Sequence, residues 1–552
     1  MSGEDGKLKE NSQKKTDTSS TIENIIRWYE QDELYQHYQR LASPKISGDE
    51  FKRCFLRENP SSIYFLTQLI EEVTGESTAA PAVYRLLSKK QKKKVIDARH
   101  YSKESFFSFF RFIRSATKEQ LQRYGHPAGL YFLARDMEAH GGAHPGQLYR
   151  CVGKKKWLQY LVGERASDLS WQPRSLDLSV KRIDAVCNFL KDSYLQDREQ
   201  FFNVYGSKAG CVFLAQKLKE SLVRLSMLLS STEVLTAIME IDDSEFEKRF
   251  NPYPVRLPLK VVEAVLEALQ SAYLASTEAF FERYGGRLGV VHLARDLIAD
   301  GACSLSSPTT SSYGQKQRTT SSDPSQAQDK YVNIEGLSSM LRDGEMVFQL
   351  LSPKAFGVGE ASEHFLDAGQ IDKKAMSSRF KPLYITLPLA TIEALIQFLK
   401  ERYNEDADVF FARYGAEKGV FALAKDLEAQ KLSVHLTQLS NLLADGKELA
   451  KLLKISDSRF FNSWKPSTIR LSLKVLEAVV AFLKERFVED REGFLLYGKT
   501  GGGLLLAKEL KQAKINVSLI ALCEMISNKP LLASLMELNP PNPPLKKGGI
   551  IK

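Results

Sequence analysis

The sequence predicts an all-α protein: an α-solenoid-like helical repeat array of five four-helix units, each of about 80 residues, behind a helical N-terminal cap. Three observations predict it. The pair Tyr-Gly recurs at Tyr124-Gly125, Tyr205-Gly206, Tyr284-Gly285, Tyr414-Gly415 and Tyr497-Gly498, with tyrosine spacings of 81, 79, 130 and 83. Leu-Ala follows at a nearly constant distance, at Leu133-Ala134, Leu214-Ala215, Leu293-Ala294, Leu423-Ala424 and Leu506-Ala507. Next comes a pattern LxxLLxxxxxLxxLL, anchored at Leu148, Leu225, Leu337, Leu439 and Leu522. A fourth landmark is an acidic residue 20 or 21 positions before each tyrosine: Glu104, Asp184, Glu263, Glu393 and Glu477.

In chain order, residues 1–20 are polar and mixed in charge, and read as a disordered tail without the apolar core of a secretory signal. Residues 21–94 read as a helical cap or diverged repeat, with apolar clusters at Ile25, Ile26, Trp28 and Tyr29 and at Ile63, Phe65, Leu66, Leu69 and Ile70. The five repeats then occupy 95–175, 176–254, 255–384, 385–468 and 469–538, and 539–552 is a Pro- and Gly-rich disordered tail. The long third spacing follows from two insertions in the third unit, about 28 residues before Leu337 and about 18 after Leu351. The first includes a Ser/Thr-rich loop, 302–330, too polar to bury area.

Within a unit, Pro388 opens the first helix where an unpaired N–H costs nothing, and Ser179 and Ser472 take the same place as caps. Asp197, Ser276, Asp406 and Asp490 cap a second, two-turn helix. The glycine of Tyr-Gly is expected to end that helix through a positive φ. Gly-xxx-Leu-Ala-xx-Leu makes a third helix, the LxxLL stretch a fourth, and a polar link such as Asn251-Pro252-Tyr253-Pro254 leads onward.

The net charge of +10 is unevenly placed. Residues 51–190 hold 24 basic and 13 acidic side chains, whereas 191–552 hold 46 and 44. The densest part is Lys89, Lys90, Lys92, Lys93 and Lys94, echoed by Lys154, Lys155 and Lys156. Such a run reads as a solvated face, a nuclear-import signal, or a patch for nucleic acid or acidic lipid. A basic residue also sits between the glycines of Tyr-Gly-xxx-Gly at Lys208, Arg287, Lys418 and Lys499. With free helix amides beside it, this junction could hold phosphate; the plainer reading is a cap followed by close helix packing.

Other motifs lose their chemistry in context. Gly493 to Thr500 matches the P-loop spacing, but it falls on the second helix of a unit and carries bulky residues where phosphate should approach. Asp136, Glu138, His140 and His144 could ligate a metal, yet the cluster crosses Gly141-Gly142 and leaves the helix. The carboxylates Asp136, Asp296, Asp426 and Glu509 read as caps and ion pairs, because a catalytic group is rarely copied into every unit of an array. Six widely spaced cysteines without a CxxC pair read as buried reduced thiols of an intracellular protein. No window approaches a transmembrane span.

No catalytic constellation or cofactor motif emerges, and the expectation is a non-enzymatic, cytoplasmic scaffold or adaptor for a partner protein. The alternatives are a nucleic-acid-binding array using the basic 51–190 segment, and an enzyme with its site in the unit-specific insertions. The tail Pro540 to Gly549, PPNPPLKKGG, resembles translated repetitive elements of some bacterial genomes. That resemblance implies a bacterial source and, with the array and the lysine run, an effector acting in a host cytosol or nucleus.

Overall fold

A computed structural model describes residues 20–41, 48–56, 59, 61–92, 95, 102–302, 304–305, 331–352, 371–432 and 434–537. Lys93, Lys94, nearly all of the Ser/Thr-rich insertion, most of the second insertion, residues 1–19 of the predicted N-terminal tail and the whole predicted C-terminal tail lie outside the described residues, and residue 20 begins a helix. The described residues are helical, apart from links and a two-residue parallel pairing of Ser304-Leu305 with Tyr331-Val332. The chain divides into two compact parts, Met1–Pro254 and Val255–Lys552. No single helix among the described residues is long and apolar enough to cross a membrane.

The first part opens with a helix over 20–31, then Leu34–Leu41, Gly48–Phe55, Ser62–Thr74, Ala80–Leu86 and Lys89–Lys92. This segment is anchored by aromatic burial. Tyr64 stacks on Phe106 with ring centroids 3.8 Å apart, and Phe65 sets its edge against Phe107 and Phe110. Phe106 lies on Lys103–Ser115, whose N-cap Ser102 accepts a bond from Ser105 N.

A common succession of helices follows each landmark. After Ser179 it runs Val180–Gln196, Arg198–Val204, Gly210–Leu218, Leu222–Leu229, Thr232–Met239 and Ser244–Arg249. After Pro388 it runs Leu389–Glu405, Ala407–Tyr414, Gly419–Ala429, Leu436–Leu443, Gly446–Leu453 and Arg459–Asn462. The expected four helices are therefore six. The LxxLL stretch is not one helix but two, meeting at 86° between Leu222–Leu229 and Thr232–Met239, and at 88° between Leu519–Ser527 and Lys529–Met536. The cause is local: Ser231, Asp343, Asp445 and Asn528 each accept a bond from a first-turn amide of the following helix. A side chain that caps a new helix at that point competes with continuation of the old one.

The caps expected at Asp197, Ser276, Asp406 and Asp490 all form, each accepting from an amide two or three residues on. Ser472 also caps, but Ser179 stands at its N-cap position without a side-chain bond. Cys54, Cys151, Cys187 and Cys211 are buried free thiols, and burial pushes Cys54, Cys187 and Cys211 up to about 12. Cys523 departs from the expectation and is exposed.

Candidate functional site

The Tyr-Gly junctions organise the side chains that the sequence singled out. At four of them the tyrosine hydroxyl donates to a carboxylate twelve residues on: Tyr124 to Asp136 at 2.8 Å, Tyr284 to Asp296 at 2.7 Å, Tyr414 to Asp426 at 2.6 Å and Tyr497 to Glu509 at 2.7 Å. Arg283 and Arg413 grip Asp296 and Asp426 with two bonds each. Burial, reinforced by the carboxylate, pushes Tyr284, Tyr414 and Tyr497 up to about 12. The carboxylates thus form ion pairs as expected, but they lock the tyrosine instead of capping helices. Tyr205 has Lys217 at the matching position and lacks this lock.

Three of the five upstream acidic residues reach back to the preceding stretch of chain. Glu393 accepts from Nε and Nη2 of Arg295 at 2.7 and 2.8 Å, Glu477 pairs with Lys425 at 3.1 Å, and Asp184 accepts from the Tyr131 hydroxyl.

The glycine of Tyr-Gly does not take a positive φ at any of the five positions. At Gly125 and Gly285 it is required instead by a close approach. An extended link returns to the junction and donates two backbone bonds to it, one to the glycine carbonyl and one to the carbonyl two residues later. Gln172 and Arg174 bond Gly125 and Pro127; Asn251 and Tyr253 bond Gly206 and Lys208; Lys381 and Leu383 bond Gly285 and Arg287; Lys465 and Ser467 bond Gly415 and Glu417. A Cβ on Gly285 would lie 2.9 Å from the Arg379 carbonyl oxygen, and one on Gly125 would collide with the carbonyl of Ser170.

Each link begins with an aromatic residue that the sequence reading passed over: Trp171, Phe250, Phe380 and Trp464, all buried. Phe250 stacks on Phe201, Phe380 on Phe280 and Trp464 on Phe410, with centroids 5.7 to 5.8 Å apart. The signal was present in sequence as Trp-Gln-Pro, Phe-Asn-Pro, Phe-Lys-Pro and Trp-Lys-Pro. Beside these clusters, Arg249, Arg379 and Arg459 lie over Phe202, Phe281 and Phe411 at 4.3 to 4.4 Å and pair with Glu199, Glu278 and Asp408.

The second glycine of Tyr-Gly-xxx-Gly starts the third helix and is buried at all five junctions. A Cβ on Gly129, Gly210, Gly289, Gly419 or Gly502 would collide with the carbonyl of the junction tyrosine. That contact gives the second glycine a packing role. Among the basic residues, Arg287 and Lys499 are exposed, while Lys208 and Lys418 are half-buried.

The lysine runs in the first part differ in their duties. Lys89 and Lys90 are exposed; Lys92 donates to the Arg85 carbonyl at 2.7 Å. Lys155 is engaged by the carbonyls of Ser167 and Leu169, both at 2.7 Å, whereas Lys154 and Lys156 lie over Trp157 and Tyr160. The P-loop-like stretch spends its amides on helix and turn bonds, with Gly493 N on Asp490 and Gly498 N on Leu495. Asp136 serves Tyr124, and His144 accepts from Gly146 N. Among the described residues, no group of three or more His, Cys, Asp or Glu side chains is placed to share a metal ion.

Two cavities stand out in the second part. One, of about 880 Å³, is lined by Arg283, His292, Arg295, Glu393, Lys400 and Lys451 among others. Burial, then Arg283 and Arg295, lower His292 to about 4, so it is neutral at pH 7. The other, of about 460 Å³, lies at the fifth junction between Phe494, Leu495, Gly498, Cys523, Ile526 and Leu532. No protein-family model matches the chain, and comparisons with curated proteins and with solved structures find no match.

Proposed function

We propose that the chain is a non-enzymatic helical-repeat scaffold of five stacked modules, presenting its surface to a partner protein. The observation that carries this reading is the recurrence of one contact set: tyrosine lock, returning link and aromatic insertion at the same register in successive stretches. The pairs Arg295–Glu393 and Lys425–Glu477 tie one such stretch to the next. Coupling of this kind between neighbouring stretches is what a docking scaffold needs in order to present a defined surface.

A protein partner is favoured by where apolar side chains face water. Val488 is 84% exposed, Ile520 71%, Leu504 63% and Leu495 60%, all between the first and fourth helices of the last stretch. Large apolar side chains exposed on successive helices of one stretch are the raw material of a contact surface. The nucleic-acid alternative draws on the exposed Lys89, Lys90, Lys154 and Lys156 of the first part. The enzyme alternative rests on insertions outside the described residues.

Affinity capture with the tagged chain from bacterial and host-cell lysates, with and without nuclease, tests the reading. Protein partners that survive nuclease and 0.5 M salt, a level of about fivefold the ionic strength that already screens surface charge, are the expected result. Loss of every partner on nuclease treatment would replace it with nucleic-acid binding.

A further inference from the structure

The fifth junction has the receiving half of a contact whose other half no described residue supplies. At the fourth junction, residues 464–469 fill a groove through bonds that include four donated to it. Lys465 N and Ser467 N donate to the Gly415 and Glu417 carbonyls at 2.8 and 3.0 Å, Ile469 N donates to Ser440 Oγ at 2.9 Å, and Trp464 Nε1 to the Leu443 carbonyl at 2.7 Å. Adding 83, the spacing of the last two tyrosines, maps those acceptors onto Gly498, Thr500, Cys523 and Ile526. Three of the four line the 460 Å³ cavity. Gly493 stands where Phe410 would, which opens the space further.

The occupants of the four earlier grooves share a pattern: Trp171-Gln-Pro-Arg-Ser-Leu176, Phe250-Asn-Pro-Tyr-Pro-Val255, Phe380-Lys-Pro-Leu-Tyr-Ile385 and Trp464-Lys-Pro-Ser-Thr-Ile469. The chemistry explains it. The aromatic and aliphatic ends are buried, and proline sits between the two donating amides, where no N–H is needed and extended backbone is.

We propose that the groove at the fifth junction, bounded by Phe494, Gly498, Cys523 and Ile526, binds an extended segment of a partner protein with the sequence aromatic-x-Pro-x-x-aliphatic. The inference rests on the scaffold reading and names the chemistry of its partner. The segment adds backbone bonds to the Gly498 and Thr500 carbonyls and inserts its aromatic ring beside Phe494, a strand-addition mode with a side-chain anchor.

The probe is a labelled peptide of residues 462–470 titrated into the full chain by fluorescence anisotropy. Saturable binding is expected, weakened at least about tenfold by Trp464→Ala in the peptide, because a buried aromatic anchor carries upward of about 1.4 kcal/mol. Cys523, the exposed thiol on the groove wall, gives an independent readout: bound peptide should slow its alkylation by iodoacetamide. A Cys523→Phe chain, shown folded by its thermal transition, should lose the peptide.

Equal binding of wild-type and Trp464→Ala peptides, or no protection of Cys523, overturns the proposal. Binding that appears only in a chain ending at Glu537 overturns it in favour of residues 538–552 as occupant. Protection of Cys523 that grows with chain concentration alone overturns it in favour of a second copy. If the peptide fails while nuclease-resistant partners are still captured, the groove inference falls and the scaffold reading stands.

Discussion

Replacing the junction glycines by alanine should have opposite effects at two positions of the second part. Neither Gly285 nor Gly498 has a positive φ, so alanine is conformationally acceptable at both and gains about 0.4–1 kcal/mol from a less flexible unfolded chain. At Gly285 the new methyl meets the Arg379 carbonyl oxygen at 2.9 Å and Phe281 Cδ1 at 3.2 Å. Overpacking of this kind costs about 1–3 kcal/mol, and displacing the link also weakens the Lys381–Gly285 bond, worth about 1 kcal/mol. Gly285→Ala should therefore lose about 1–2 kcal/mol net. At Gly498 the nearest atom is the Leu495 carbonyl oxygen at 3.6 Å, so Gly498→Ala keeps only the gain.

The gap between the two variants is about 2 kcal/mol. For a cooperative part of roughly 300 residues, with an unfolding entropy of about 0.6 kcal/mol per kelvin, it corresponds to about 3 °C in the later of two calorimetric transitions or in whichever one both variants move. Scanning calorimetry of the full-length variants, backed by urea titration, measures it. Equal destabilisation at the two positions would refute the claim that the link, rather than glycine's own conformation, dictates the residue.

Tyr414→Phe should destabilise the second part by about 1–2 kcal/mol in urea unfolding, because it strands one contact of the partly buried Asp426, whereas Tyr205→Phe, with Lys217 in place of the acid, should be near neutral. His292 is lowered to about 4 while the unfolded chain protonates near 6.5, so stability should fall as pH drops from 6.5 toward 4; His292→Phe, the residue found at the matching Phe132 and Phe213, should flatten that slope. Asp457 is held at about 2 chiefly by Arg459, so its contribution is present above about pH 4 and is lost toward pH 2. Asp457→Asn should remove that acid limb in a pH series of unfolding midpoints.

Features that depend on neighbours in sequence were legible. The caps at Asp197, Ser276, Asp406 and Asp490 were read correctly because a cap needs only its own side chain and an amide two or three residues on. The split of the LxxLL stretch was also written locally, in Ser231, Asp445 and Asn528, but the leucine pattern continues across the break and masked it. The role of the Tyr-Gly glycine was misread because its partner is remote: Arg379 lies 94 positions beyond Gly285, and nothing near the glycine announces the approach.

By itself, the sequence determined an all-helical chain, the spacing of its landmarks and the capping of its helices, since hydrophobic period and local hydrogen bonding set these. Only the tertiary structure decided that the tyrosine locks a carboxylate twelve residues on, that a returning stretch crowds the glycine at Gly125 and Gly285, and that, among the described residues, a cavity lies at the fifth junction. Those depend on which distant segments meet, and nothing in the neighbouring sequence announces such a meeting.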